Sequence, residues 1–137
     1  MIWKYQILSH PADVKLQITA TTKEELFQAA LSGMTAILYP SNSPQKVAIK
    51  DKIKIHSLDL NTLLVDFLNE VLAKNDIFKA VFKTLTINTL TDTYLEAEIF
   101  GNHIHALKQE IKAATHHGLK ITQDQENNYH ATILFDI

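Results

Sequence analysis

The stretch that decides the fold is residues 59–72, DLNTLLVDFLNEVL, which has the apolar spacing of a helix packed against a core. Asp59 is a suitable N-cap, because its side-chain oxygen can accept from a free backbone N–H of the first turn. Asp66, Asn69 and Glu70 lie off the apolar stripe, and a solvated helix face is the ordinary explanation for them. The sequence therefore predicts an amphipathic helix. Its apolar positions are Leu60, Leu63, Leu64, Phe67, Leu68, Val71 and Leu72.

The N-terminal segments predict two strands. Residues 2–8 and 14–20 alternate apolar and polar side chains with the period of two that is typical of half-buried strands. Pro11 separates them and disfavours a helical backbone at His10. We therefore expect a turn between the two strands.

A first helix and a third strand are expected before residue 59. Thr22 and Glu25 have the spacing of a capping box, and the apolar residues after them recur at helical spacing up to Pro40. Residues 47–56 alternate again, with Asp51 as a polar break on the apolar side.

The C-terminal half predicts two strands, a third helix and a last pair of strands. Strands are expected at residues 78–88 and 94–100, the helix at 102–114, and the final strands at 119–123 and 129–136. The apolar contacts of the third helix are expected at Ile104, Leu107, Ile111 and Ala114.

The resulting order, ββαβαββαββ, predicts an α+β fold in a single domain over residues 1–137. Because the strands are amphipathic, we expect a two-layer structure in which a mixed or antiparallel sheet packs on helices. A chain of 137 residues with 46% hydrophobic content is long enough to bury such a core.

The composition excludes several classes of protein. Cysteine is absent, which excludes disulfides, thiolate-ligated zinc and a cysteine nucleophile. No apolar run reaches the roughly 20 residues of a membrane span, and the N-terminus lacks the core of a signal peptide, so we expect a cytoplasmic protein. Thirteen basic and fifteen acidic residues give no global field for nucleic acid, so RNA is expected to be reached only through another protein. No phosphate-binding glycine motif is present, and nucleotide hydrolysis is not expected.

The seven histidines raise the question of a zinc site. His103 and His105, and the pair His116 and His117, flank the expected third helix. Neither pair has the i, i+4 spacing that would aim two imidazoles at one ion from a helix. Polar surface histidines are the competing explanation.

The carboxylates suggest a different metal. Asp13 lies at the turn before the second strand, and Asp136 is the penultimate residue of the last strand. The main-chain carboxylate of Ile137 adds a further anionic oxygen beside Asp136. Together with Asp13 these groups would form a site for a hard cation such as Ca²⁺ or Mg²⁺. An exposed aspartate on a terminal strand is the alternative.

Five blocks, in order along the chain, resemble the archease family. They are residues 10–14 (HPADV), 24–27 (EELF), 63–70 (LLVDFLNE), 111–117 (IKAATHH) and 135–137 (FDI). The corresponding family motifs read HTAD[VI], EELF, LLVDWLNE, IKAVTYH and FDI. Each block alone is common, but five in register over the whole chain are specific.

Three positions depart from the family pattern. Pro11 replaces a threonine, which removes a hydroxyl and a backbone N–H donor close to Asp13. Phe67 for tryptophan and His116 for tyrosine are milder aromatic changes.

The resemblance implies a function and a site. Archeases are protein cofactors of the GTP-dependent RNA ligase that joins ends bearing a 2′,3′-cyclic phosphate or 3′-phosphate, as in tRNA splicing and RNA repair. They promote guanylylation and repeated turnover of the ligase and have no known chemistry of their own. By resemblance, Asp13, Asp136 and Ile137 would bind a divalent cation, with Ca²⁺ expected first and Mg²⁺ or Mn²⁺ as alternatives.

Four further residues are predicted to contact the ligase. Lys112 is the expected cationic contact, although a lysine near a helix C-terminus is also favoured by the helix dipole. Asp66, Glu70 and His117 are the other predicted contacts.

Two other functions remain open from the sequence. Asp13 and Asp136 could hold a cation that activates water in a phosphoesterase, with His10 or His117 as general base. A chaperone-like interaction module would instead require a large exposed apolar patch.

Overall fold

The structure is a computed structural model that describes residues 2–9, 12–40 and 48–137. Two helices and eight strands make up this described part of the chain. The strands are β1 (Trp3–Ser9), β2 (Asp13–Ala20), β3 (Ala48–His56), β4 (Ala80–Leu90), β5 (Tyr94–His103), β6 (Ala113–Thr115), β7 (Thr122–Gln123) and β8 (Tyr129–Asp136). The helices are α1 (Lys23–Leu38) and α2 (Leu60–Phe78).

The strands form two sheets, and this confirms the predicted α+β class. A five-stranded sheet has the order β1-β2-β8-β6, with the short β7 also paired to β8. A three-stranded sheet has the order β3-β5-β4. Every described strand pair is antiparallel, so of the two predicted sheet types the antiparallel one is present.

Helix α1 begins as the capping-box spacing predicts. Thr22 Oγ1 accepts a hydrogen bond from the backbone N–H of Glu25 at 3.1 Å. The helix then contacts β1 and β2 of one sheet and β4 of the other. Gly33 permits the approach to β2, because a Cβ at that position would lie 2.6 Å from Leu16 Cδ1.

Helix α2 is the predicted amphipathic helix, and it continues beyond the predicted stripe to Phe78. Asp59 Oδ1 accepts from the backbone N–H of Thr62 at 2.7 Å, which confirms the predicted N-cap. Lys79 ends the helix in the left-handed conformation, with φ 51°. The buried Asn75 secures this end, since its Nδ2 donates to the carbonyl of Ala80 at 2.9 Å.

One hydrophobic cluster joins both helices to the inner faces of both sheets. Its fully buried centre holds large side chains from α1, α2 and four strands. These include Leu16, Leu26, Phe27, Met34, Ile53, Leu64, Phe67, Phe82 and Phe135. Within the described part of the chain, no helix is long and apolar enough to cross a membrane.

The predicted third helix at residues 102–114 is wrong. The first two of these residues continue β5, and the last two belong to β6. The backbone N–H groups between them are taken by distant carbonyls: Ile104 donates to Lys79, and Lys108 donates to Leu38, both over distances of 2.8–2.9 Å. Ile111 and Ala114 are buried as expected, whereas Leu107 is 39% exposed.

The predicted C-terminal hairpin forms with a shorter first strand, Thr122–Gln123. Asp124 Oδ1 organises the turn by accepting from the backbone N–H groups of Glu126 and Asn128. His130 Nε2 lies 2.8 Å from Asp124 Oδ2, and this contact holds the pKa of the Asp124 carboxyl below its usual value.

Some predicted features lie outside the described residues. His10 and Pro11 are among these, and so are residues 41–47, which include the first residue of the predicted strand 47–56.

A shielded ion pair ties α2 to β3. Asp51, the predicted polar break, accepts from Lys74 Nζ at 2.5 Å, and the two side chains are only 28% and 16% exposed. The hydrogen bond from Lys74 is the main cause that lowers the pKa of the Asp51 carboxyl. Glu70 adds a second, longer contact to Lys74 at 3.8 Å.

Replacing Asp51 should therefore have a pH-dependent cost. Because the folded-state pKa is lowered, the stabilisation is present above the ordinary carboxyl pKa and is lost as the pH falls through the folded-state value. Asp51→Asn should lower the free energy of unfolding by about 1–2 kcal/mol at neutral pH, and this cost should shrink as the pH falls below the ordinary carboxyl pKa and through the lowered folded-state value. Denaturant unfolding across this range measures the difference.

Asp76→Asn is the matched control for this variant. Its ion pair with Lys79 is exposed, with side chains 87% and 74% accessible, so the substitution should change stability little at any pH. An equal cost for both variants, or a cost for Asp51→Asn that is independent of pH, would contradict the assignment.

Candidate metal and partner site beside Asp13 and Asp136

The structure places Asp13 and Asp136 directly opposite each other. Asp13 begins β2 and Asp136 ends β8, and the antiparallel register pairs the two residues. Side chains of directly opposed residues lie on the same face of a sheet, with Cβ atoms about 4.5–5.5 Å apart. Two carboxylates from opposite ends of the sequence therefore share one corner of the five-stranded sheet.

One oxygen of this pair has no partner among the described residues. Asp13 Oδ1 is buried and accepts no hydrogen bond from them, while Asp136 is exposed at the end of its strand. A buried carboxylate oxygen without a donor is costly, and a bound ion is one way to satisfy it. Ile137, which follows Asp136, is half-buried and packs against the core cluster.

Lys112 lies beside this corner. Its backbone N–H donates to the carbonyl of Asp136 at 2.8 Å, and the next residue, Ala113, pairs with Asp136 in the β6–β8 register. The Lys112 side chain is exposed. The backbone of Lys112 is therefore anchored to the end of β8, while its side chain lines a groove together with Asn69 of α2.

Asn69 of α2 holds β6 in place. Its Nδ2 donates to the carbonyl of Ala114 at 3.0 Å, and its Oδ1 accepts from the N–H of the same residue at 2.8 Å. The amide thus acts like a neighbouring strand for a three-residue segment that is paired with β8 on its other side. This role of Asn69 is not apparent from the sequence, because a polar residue next to an apolar helical stripe has the same pattern whether it is solvated or bonded to the backbone of another segment.

Thr115, the last residue of β6, faces the same side of the sheet as Asp136. It is paired with Leu134, which is two residues before Asp136 on β8. Its Oγ1 is buried and has no hydrogen-bond partner within residues 2–9, 12–40 and 48–137.

The other predicted contact residues lie in different surroundings. Asp66 accepts from Ser57 Oγ, just after β3, at 2.6 Å, and Glu70 contacts Lys74, which also binds Asp51 of β3. These two carboxylates of α2 are therefore turned towards β3 and the chain that follows it. His117 is exposed shortly after β6. The structure brings the backbone of Lys112 to Asp136 but gives Asp66 and Glu70 other neighbours.

The histidine pairs are not gathered around a common point. His103 Nδ1 lies 2.9 Å from the carbonyl of Phe78, and His116 and His117 are exposed. Across residues 2–9, 12–40 and 48–137, no group of three His, Cys, Asp or Glu side chains is placed to hold a metal ion. Any ion between Asp13 and Asp136 would thus need a third oxygen of another kind, such as the main-chain carboxylate of Ile137.

The two hydrogen bonds between the Asn69 side chain and the backbone of Ala114 form a clamp on β6, and removing the side chain tests its role. Asn69→Ala should lower the free energy of unfolding by about 1–3 kcal/mol, because both polar groups of Ala114 lose their partner. Hydrogen exchange at the Ala114 amide should accelerate as well. Asn88→Ala, at an exposed position on β4, is the control and should change neither measurement. Unaltered protection of Ala114 in Asn69→Ala would show that the clamp is not needed.

Comparison with known proteins identifies the family. The sequence model of the archease protein family matches residues 5–137. A protein archease of Pyrococcus abyssi is 26% identical, with 98% of this chain and 99% of the relative covered. A protein of Drosophila melanogaster named archease-like is 32% identical, with 98% of this chain and 90% of the relative covered.

A solved structure has the same fold. The crystal structure of an archease from Thermotoga maritima, described as a possible chaperone, superposes with a TM-score of 0.70. The match covers 95% of this chain and 94% of the other at 18% identity, so it supports the fold alone. The family match over residues 5–137 carries the assignment, and the chain belongs to the archease family.

Proposed function

We propose that this protein is a non-enzymatic activator of a GTP-dependent RNA ligase. In this role it promotes guanylylation of the ligase and lets it turn over repeatedly while joining ends that carry a 2′,3′-cyclic phosphate or 3′-phosphate, as in tRNA splicing or RNA repair. The observation that carries the proposal is the opposition of Asp13 and Asp136 in a chain of the archease family.

The proposal includes a divalent cation held by Asp13, Asp136 and the carboxylate of Ile137. The donor set fits a hard ion, because all of the groups are oxygen ligands and no thiolate is present. The unpartnered Asp13 Oδ1 supports the fit. Ca²⁺ is the first candidate, since it accepts flexible sets of oxygen ligands, and Mg²⁺ or Mn²⁺ are alternatives. When bound, the ion would supply positive charge that offsets the repulsion between the carboxylates.

The chain's own residues would then form a contact surface for the ligase. Asn69 and the β6–β8 pairing fix the backbone of Lys112, and its exposed ammonium is the proposed contact with an acidic group of the partner. His117, Asp66 and Glu70 are further proposed contacts, although the carboxylates of Asp66 and Glu70 already bind Ser57 and Lys74. The net charge of −2 favours a protein partner over direct binding of RNA.

An activator must bind the active state of its partner more tightly than the inactive one. Asp13, Asp136 and the backbone of Lys112 are fixed by strand pairing and main-chain hydrogen bonds, so the proposed contact corner would meet its partner as a preformed surface.

A chaperone-like role is the second candidate, since the Thermotoga maritima protein is described as a possible chaperone. Among the described residues, five large apolar side chains are exposed. They lie in or just before β1, at the two ends of α2 and in the segment before β6. They are Ile2, Ile7, Leu58, Ile77 and Leu107.

A ligation assay with limiting ligase, GTP and RNA bearing a 2′,3′-cyclic phosphate tests the proposed function. The wild-type protein should raise the product well above one equivalent per ligase, and Asp13→Asn should lose about tenfold or more of this stimulation because the proposed cation site loses one negative charge. Asp76→Asn, whose carboxylate is exposed on α2, should stimulate like the wild type.

Three outcomes of this assay count against the proposal. They are the absence of any gain in turnover, equal stimulation by Asp13→Asn, and metal-dependent phosphoesterase activity of the protein without ligase. The last result would favour the hydrolase alternative. Suppression of protein aggregation with no effect on ligation would favour the chaperone-like role.

Extending the chain beyond Ile137 provides a separate test of the ligand set. A C-terminal tag converts the Ile137 carboxylate into an amide, so the affinity for Ca²⁺ measured by calorimetry should fall while the melting temperature without cation stays the same. The same tag placed before Met1 is the control. Equal Ca²⁺ affinity in both tagged proteins would remove Ile137 from the proposed site.

A further inference from the structure

Four buried polar side-chain atoms have no hydrogen-bond partner among the residues that the structure describes. For Glu25 and Asn75, the other polar atom of the side chain is bonded, to Thr21 and to the carbonyl of Ala80 respectively. The remaining two are Asp13 Oδ1 and Thr115 Oγ1. Thr115 is the extreme case, because the hydroxyl is its only side-chain polar group.

The residues that carry these two atoms, Asp13 and Thr115, lie on the same face of the five-stranded sheet, on opposite sides of β8 and two residues apart in its register. Asp13 lies directly across from Asp136, and Thr115 lies across from Leu134 on the other side of β8. Thr115 and Asp136 are therefore diagonal neighbours, a relation in which the residues are about 7–8 Å apart. A short hydroxyl and a carboxylate at this spacing are suited to sharing a water molecule.

The position of Thr115 is fixed on both sides. β6 pairs with β8, and the Asn69 amide holds Ala114, the residue just before Thr115. Packing does not explain the hydroxyl, because valine has nearly the same shape and an equally good preference for strands. A buried hydroxyl without a partner lowers stability unless something outside the chain satisfies it.

We infer that Thr115 is a positioning residue of the cation site, with its hydroxyl bonded to a water of the ion held by Asp13 and Asp136. The inference rests on the cation site of the proposed function. It adds to that site an uncharged hydroxyl that contacts the ion through a water rather than directly. Such outer contacts orient the inner ligands and typically change metal affinity by about 10–100-fold.

The test is a titration of the full chain with Ca²⁺ alone, combined with thermal unfolding in EDTA. Thr115→Val should lower Ca²⁺ affinity about tenfold, and its melting temperature in EDTA should not fall, because the substitution removes an unsatisfied group. Thr115→Ser keeps the hydroxyl and should keep the wild-type affinity. Thr132→Val, on the same face of β8 but opposite Gln17, is the control and should bind Ca²⁺ like the wild type.

The outcomes separate this inference from the proposed function. Wild-type affinity in Thr115→Val, or equal weakening by Thr115→Ser and Thr115→Val, overturns the role of the hydroxyl and leaves the cation site standing. A lower melting temperature of Thr115→Val in EDTA also overturns it, since the hydroxyl would then be satisfied within the protein. If the wild-type protein does not respond to Ca²⁺, the cation site and the role of Thr115 fail together.

Discussion

The pairing of β2 with β8 is the constraint on which the rest of the site depends. These strands are far apart in the sequence, and their register sets Asp13 opposite Asp136. A slip of one residue would turn every side chain of a strand to the other face, exposing Leu16 and Phe135 to water. The apolar side chains on the buried face of β2 and β8 therefore fix the register of the two strands, and this register fixes the positions of the two carboxylates. The same apolar contacts that stabilise the fold position the proposed metal ligands.

The second element of the site is supported differently. β6 has three residues, too few to form a stable strand by themselves, and it follows a segment without regular structure. Its two sides are occupied by β8 and by the Asn69 amide, which uses both its donor and its acceptor on Ala114. This support explains how Lys112 and Thr115 are fixed beside the carboxylates without a helix to carry them. It also gives a structural reason for the presence of Asn69 beside the apolar stripe of α2.

The sequence predicted those parts of the fold that are determined by local pattern. The caps at Thr22 and Asp59 and the alternation of the strands depend on residues within a few positions of one another, and each was confirmed. The local patterns of β2 and β8 do not show that the two strands pair, so they could only suggest that Asp13 lies close to Asp136. The resemblance to the archease family supplied the reason to place the two aspartates in one site.

The segment after β5 could not be predicted for a related reason. Ile104, Leu107 and Ile111 have helical spacing, but the N–H groups of this stretch bond to Lys79 and Leu38, which are distant in the sequence. The apolar spacing of this segment is only a weak helix signal, and its long-range hydrogen bonds favour an extended, irregular backbone instead. The roles of Asn69 and Thr115 were missed in the same way, since both depend on β6 being a strand in that place.

The location of the two aspartates has a consequence for biosynthesis. Asp13 is synthesised long before Asp136, so the carboxylate pair cannot assemble until β8 has left the ribosome. A nascent chain that stops before β8 leaves β2 without its central neighbour and β6 without a strand to pair with. Premature termination thus yields a fragment that lacks both the corner and a closed sheet. Any partner that recognises this corner would in effect select for molecules in which β8 is present and paired with β2.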